Sequence, residues 1–243
     1  MSDFSYIARN LAAVKARLLA ASQQSGHPVP RLIAVTKSAS DDEVKALLGL
    51  GVDAIAENRP QMFAAREAIL ARVNAEREVR GEVPLATELH LIGHLQTNKA
   101  KLVVGRAATI QSLDSERLAT ELERQAAARG TVQPVLIEIN SAREPQKGGI
   151  LPEEAEAFAE WLKDLPHLSV GGLMTIGPVL DTEEGYRPYF KATRALALTL
   201  AGRGLLPAYP TLSMGMSDSF GVAAEEGATE VRVGRTLFSR NED

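Results

Sequence analysis

Cysteine is absent from the 243 residues, which excludes a disulfide framework, a thiolate nucleophile and any zinc site built on thiolates. No apolar run approaches the roughly 20 residues that a membrane-spanning helix needs. The first residues, Met1-Ser2-Asp3-Phe4-Ser5, lack the basic and apolar regions of a signal peptide. Neither sign of charge dominates: 27 Lys+Arg stand against 31 Asp+Glu, a net charge of −4, so nothing draws the whole chain to nucleic acid or to an anionic membrane. A linker rich in Ser, Gly or Pro is missing as well, and so is a strong internal repeat. What is present is a 45% apolar composition, ample for a buried core in one large domain or two small ones. These features read as a soluble, cytoplasmic α/β protein with neither nucleic acid nor membrane as a partner.

Short β-branched runs alternate with helical patterns along the whole chain. Ile7, Leu11, Val14 and Leu18 recur at three- and four-residue spacing, which predicts an amphipathic helix over residues 4–22. The run 31–36 (RLIAVT) reads as a buried parallel strand. Ser40-Asp41-Asp42-Glu43 has capping-box form and opens a helix that Gly51 ends. Further strands are expected at 52–56, 89–92, 108–111, 132–139, 168–174, 211–213 and 229–233. Helices are expected from about Pro60 into a charged stretch at 74–83, and near 97–104, 115–129, 152–164, 183–202 and 217–226. Pro152 suits a first helical turn, and Asp181-x-x-Glu184 is a second cap signal.

Eight strand–helix units behind one extra N-terminal helix, in about 240 residues, match a single-domain TIM (β/α)8 barrel over residues 1–243. A doubly wound open sheet is the alternative, since alternation alone does not show closure. It is weakened by the lack of G-x-G-x-x-G after the first strand and of G-x-x-x-x-G-K-[ST] anywhere.

In a barrel, polar residues at strand C-termini are the functional candidates. Lys37 ends the first strand after Leu32–Thr36. Walled by apolar side chains, its amine would be desolvated and nucleophilic; the ordinary alternative is a lysine reaching into solvent. Glu57 and Asn58 follow the second strand, as rim groups or as a solvated turn. His90 and His94 have the spacing of a helical metal pair, but the stretch reads as strand and turn, Gly93 would break a helix, and no acidic third ligand is near in sequence. No metal is expected, and His94 more naturally shapes a loop. Lys147, beside Gly148 and Gly149, either approaches an anion or is an exposed loop lysine. Met174 either lines a pocket or belongs to the core.

The last two strands are more informative. Ser213-Met214-Gly215-Met216-Ser217 follows the seventh and Arg232-Val233-Gly234-Arg235 the eighth. Phosphate sites of this fold lie in those loops. Arg232 alternates with Val231 and Val233 and would face the barrel mouth. A phosphate there, facing an amine at strand one across the mouth, suits a phosphorylated aldehyde, and pyridoxal 5′-phosphate is the obvious case.

In order, Ala34-Val35-Thr36-Lys37, Glu57-Asn58, the run His90–Lys99 (HLIGHLQTNK), the run Glu144–Gly149 (EPQKGG), Gly172–Thr175 (GLMT), Leu212–Ser217 (LSMGMS) and Val231–Gly234 (VRVG) resemble the motifs of the pyridoxal phosphate homeostasis protein family, from about residue 30 to 239. The resemblance implies a barrel like the N-terminal domain of alanine racemase, with pyridoxal 5′-phosphate held on Lys37 as an internal aldimine. It implies Asn58 beside the ring, Ser213 and the backbone around Gly234 and Arg235 on the phosphate, Arg232 at the pyridine nitrogen, and Lys147 near the site. Ala39, Ser40, Arg59 and Arg235 depart from the family pattern. The first three bear on accessory roles in cofactor transfer, and Arg235 replaces a frequent Thr or Ser.

The resemblance further implies a carrier that serves intracellular cofactor homeostasis, with enzymes that require the cofactor as partners and with no established catalysis. An arginine at the ring nitrogen cannot protonate it as a carboxylic acid would, although alanine racemase shares that arginine. About ten residues follow the eighth strand, too few for a second catalytic domain, and Asn241-Glu242-Asp243 gives no dimerisation signal, so a monomer is expected. A small racemase or lyase using the cofactor, and a barrel enzyme acting on a sugar phosphate, are the alternatives.

Overall fold

Strands β1 (Arg31–Val35), β2 (Ala54–Glu57), β3 (Glu88–Leu91), β4 (Thr109–Leu113), β5 (Gln133–Ile139), β6 (Leu168–Thr175), β7 (Thr211–Ser213) and β8 (Glu230–Val233) pair in sequence order, all parallel. Strand β8 pairs back onto β1, with Ala34 opposite Val233, and closes the barrel. This computed structural model describes residues 3–240. Met1, Ser2 and Asn241–Asp243, which entered the expectations about a leader and about self-association, lie outside the described residues. Closure removes the open-sheet alternative. It also corrects one geometric expectation: strands one and eight are neighbours, so Lys37 and Gly234 stand side by side rather than across the mouth.

The helices are α1 (Ser5–Ser25), α2 (Asp41–Gly49), α3 (Phe63–Val79), α4 (Glu116–Ala128), α5 (Ala155–Leu162), α6 (Arg187–Gly202), α7 (Phe220–Glu225) and α8 (Arg235–Phe238). Helix α1 buries Ile7, Leu11, Val14 and Leu18 as the spacing predicts, and lies against α7 and α8. Helix α2 carries the expected capping box between Ser40 and Glu43. Three local expectations change. The 97–104 segment is a 3-10 helix over Thr97–Leu102. Pro152 precedes α5 by three residues, in a turn. Asp181 and Glu184 form no capping box; a 3-10 turn, Glu184–Tyr186, leads into α6, and Thr182 Oγ1 accepts from the Gly185 amide.

The strands separate two interiors by alternation. Outward residues such as Ala34, Ile55, Leu91, Ile110, Ile137, Leu173, Leu212 and Val231 pack on the helices in one large apolar core. The inward face is different. Its buried apolar cluster is small, Ile33, Ala54 and Ala56 with Ile92 against them, and a chain of polar side chains fills much of the rest. Arg232 Nη1 donates to Ser213 Oγ at 2.7 Å, and Ser213 Oγ donates to Gln111 Oε1 at 2.7 Å. The Gln111 amide donates to Glu230 Oε2 at 2.8 Å and lies 3.1 Å from His90 Nδ1. His90 Nε2 is 3.0 Å from Glu88 Oε2, which accepts from Arg31 Nη1 at 2.7 Å. The donors along this chain are consistent only if Gln111 donates to His90, which places the imidazole hydrogen on Nε2.

Candidate functional site at the barrel mouth

The site begins where β1 stops. After Val35 the Thr36 hydroxyl contacts Ala56 O at 3.2 Å and Glu57 Oε1 at 2.7 Å, and the chain turns. Lys37 therefore lies in the turn rather than in the apolar wall. It is exposed and has no hydrogen bond or ion pair with any described residue. The desolvated surroundings expected for this amine are absent; its freedom is what the structure provides. The turn itself is fixed from behind. Arg66, on α3 and 2% exposed, donates to Thr36 O and Ala39 O, both at 3.1 Å, to Glu57 Oε1 at 2.7 Å and to Asp41 Oδ1 at 2.9 Å. Glu57 is thus a buried anchor on the outer side of β2, not a rim carboxylate.

Asn58 follows on the neighbouring strand. Its Oδ1 is buried and has no hydrogen-bond partner among the described residues. A polar atom in that state is costly unless something else donates to it. Gly93 presses on the same residue: a Cβ there would sit 2.1 Å from Asn58 O and 2.7 Å from its Cα. Gly93→Ala is expected to lower stability by about 1–3 kcal/mol through this backbone clash and to displace Asn58. Urea unfolding checks the first effect, and the change in ligand affinity at the mouth checks the second.

On the other side of β1 stand the loops after β7 and β8. Gly215 turns with φ 91°, where a Cβ would meet Ala223 Cβ at 2.4 Å, and the Met216 amide donates to Ser219 Oγ at 3.1 Å. The Gly234 and Arg235 amides donate to no described residue. The Arg235 guanidinium is turned outward into an ion pair with Asp218, tying the two loops together. Ser213 is buried, with its hydroxyl committed to Arg232 and Gln111 inside the barrel.

Arg232 occupies the centre. It is 3% exposed and donates to Ser213 Oγ and, at 2.8 Å, to Thr175 O. Burial pulls its guanidinium down to about 10, while the charges of Glu138 and Glu230 oppose that shift. Register sets Glu138 beside Met174, and Met174, fully buried, beside Ser213. Burial raises the Glu138 carboxyl to about 7, helped by the nearby charge of Asp114 and opposed by Arg232 and His94.

That shift has a sign in stability. Below pH 4.5 both native and unfolded carboxyls are protonated. Between 4.5 and about 7 the native group keeps a proton that the unfolded one has lost, so stability falls as pH rises through this window. The loss totals about 3 kcal/mol and is complete above it. Urea midpoints at pH 5 and pH 8 are expected to show the decline in the parent and a smaller one in Glu138→Gln.

His94 and Lys147 are rim residues. His94 is exposed, with Nδ1 3.1 Å from Asp114 Oδ2, while His90 points into the barrel, so the two histidines do not converge. Lys147 pairs with Glu144 and donates to Gly177 O at 3.0 Å. Sequence reasoning gives no role to Arg66, to Gln111, to Glu138 at the end of the fifth strand, or to Glu230. The last three are polar residues at inward positions of otherwise apolar strands, which is a signal that alternation could have supplied. Arg66 looks like any helix arginine in sequence.

This geometry stands in a known family. The family model for the alanine racemase N-terminal domain matches residues 9–242. A pyridoxal phosphate homeostasis protein from Aquifex aeolicus is 40% identical over 213 residues, 88% of each chain. The chain belongs to the pyridoxal phosphate homeostasis protein family. The Escherichia coli member is 34% identical over 96% of this chain and 95% of its own. Among solved structures, PipY of Synechococcus elongatus with PLP bound superposes with a TM-score of 0.78 at 30% identity, covering 96% of this chain and all of its own. A protein from Bifidobacterium adolescentis reaches 0.88 at 35% identity, with 98% and 97% covered. Alanine racemase of Clostridium difficile shares the fold, at 0.70 and 16% identity over 98% of this chain and 60% of its own. No helix among the described residues is long and apolar enough to cross a membrane.

Proposed function

We propose that this protein binds pyridoxal 5′-phosphate at the barrel mouth through the Lys37 amine, and that it holds and releases the cofactor for other proteins rather than turning over amino acids. The observation that carries the reading is the order of groups on three adjacent strands. The unpartnered Gly234 and Arg235 amides follow β8, the free Lys37 amine follows β1, and the buried, unpartnered Asn58 Oδ1 follows β2. That orphaned oxygen fits a polar ligand, since none of the described residues donates to it. PLP bound to PipY and the names of the homeostasis relatives support the choice of cofactor.

When bound, the cofactor supplies an aldehyde that an amine can hold reversibly, together with a phosphate. In this reading the Gly234 and Arg235 amides bind the phosphate, as backbone N–H groups do for anions. Ser213 acts through Arg232 by accepting from its guanidinium and keeping it oriented. Arg232 presents donors at the ring and no proton acceptor, and Met174 closes the floor. Lys147 and His94 bound the rim, where enzymes that require the cofactor are the proposed recipients.

Titration with pyridoxal 5′-phosphate is expected to turn the protein yellow and to leave Lys37→Ala colourless. A parent protein that stays colourless and ignores the cofactor would refute the reading and favour the sugar-phosphate alternative. The loaded protein is also expected to leave the α-proton of amino acids unexchanged in deuterated buffer. Exchange that disappears in Lys37→Ala would establish the racemase or lyase alternative instead.

A further inference from the structure

On the side of the mouth built by β3 to β6 the barrel leaves a cavity of about 480 Å³, within the range of small-molecule sites. Lys37, Asn58, Ser213, Gly234 and Arg235 do not line it, so it is the other half of the mouth. Glu138 reaches it from the inner face of β5. The residue is 8% exposed, and its carboxyl makes no hydrogen bond or ion pair with a described residue. The other charged groups around it are engaged. Arg232 is bonded to Ser213 and Thr175, Lys147 to Glu144 and Gly177, and His94 to Asp114.

The Glu138 carboxyl faces the open cavity, and a largely buried carboxyl that takes no donor from the described residues gains from one that a ligand brings. What satisfies it best is a cation bringing its own N–H groups, because charge-assisted hydrogen bonds to a carboxylate are short and strong. A metal ion is a poor match: no group of three or more His, Asp or Glu side chains among the described residues could hold one. Ile92 and Ile176 give the cavity apolar wall for a short alkyl group, and Lys147 and His94 stand at its rim.

We propose that the Glu138 cavity binds the ammonium group of a small primary amine, α-amino acids included. Glu138 holds the ammonium, the alkyl part lies against Ile92 and Ile176, and an amino acid's carboxylate is directed to Lys147 at the rim, in exchange for Glu144. The site itself needs only Glu138 and the cavity. Its bearing on the cofactor rests on the function proposed above, because the amine then sits beside the mouth that holds the aldehyde.

Calorimetric titration of the full chain with ethylamine, L-alanine and N-acetyl-L-alanine tests this at pH 6 and pH 8. Ethylamine and alanine are expected to bind, N-acetylalanine is not, and the affinity for ethylamine is expected to rise about tenfold between the two pH values as the carboxyl ionises. Glu138→Gln should weaken both amines at least tenfold. Its urea midpoint at pH 8, expected at or above that of the parent, shows that the variant is folded. Equal affinity in parent and variant, N-acetylalanine binding as tightly as alanine, or no heat from either amine overturns the proposal. A chain that stays colourless with pyridoxal 5′-phosphate yet binds ethylamine through Glu138 refutes the cofactor reading and upholds this site.

Discussion

Replacing Arg66 by methionine is expected to cost about 3–5 kcal/mol in unfolding free energy, the range for removing one partner of a buried ion pair. The cost arises because Glu57, 1% exposed, keeps its charge in the barrel wall with, among the described residues, only the Thr36 hydroxyl left to donate to it. The exposed contact to Asp41 contributes little of this. The same change frees Thr36 O and Ala39 O on either side of Lys37, so the lysine turn loses its support. Cofactor affinity is therefore expected to fall as well, although Arg66 stands behind the mouth. Urea unfolding and cofactor titration of Arg66→Met measure the two effects. The double variant with Glu57→Gln separates them: it should recover part of the stability, since the stranded charge is gone, and none of the lost affinity.

Arg232→Gln is the second large effect. The shorter amide cannot span from Ser213 to Thr175, so two buried hydrogen bonds go together with the cation between Glu138 and Glu230. A loss of about 2–5 kcal/mol is expected, as for truncating one member of a buried, hydrogen-bonded charge network. The Glu138 carboxyl should move further above 7, because Arg232 is one of the groups that hold it down. The fall in stability with pH would then extend to higher pH than in the parent, which urea midpoints across pH 5 to 9 would reveal. Arg232→Lys keeps the charge without the two-pronged geometry. It should restore the position of the pH window and little of the stability.

Much of this architecture is legible in the residues. Short runs such as 31–36 and 168–174 give the strands, because strands buried on the helix side need apolar outward positions, and the Ser40–Glu43 box marks the start of α2 at its true residue. Alternation around Arg232 gives its inward direction, and the glycine turns after β7 and β8 locate the mouth. The surroundings of Lys37 were not legible. Whether a strand-end lysine is walled in or free depends on where the strand stops, and a hydrogen bond from Thr36 to Glu57, twenty-one residues away, decides that. The fate of Ser213 was hidden for the same reason: its partner Gln111 is 102 residues distant. Nor does alternation alone show that Lys37 and Gly234 are neighbours, because that follows from closure.

In the proposed function pyridoxal 5′-phosphate is held on one particular amine. The direct measurement loads the full chain with the cofactor, reduces it with borohydride and maps the modified peptide. A single reduced adduct on the peptide containing Lys37 is expected. Recovery of that peptide unmodified, with the adduct on Lys147, on another lysine or nowhere, would contradict it.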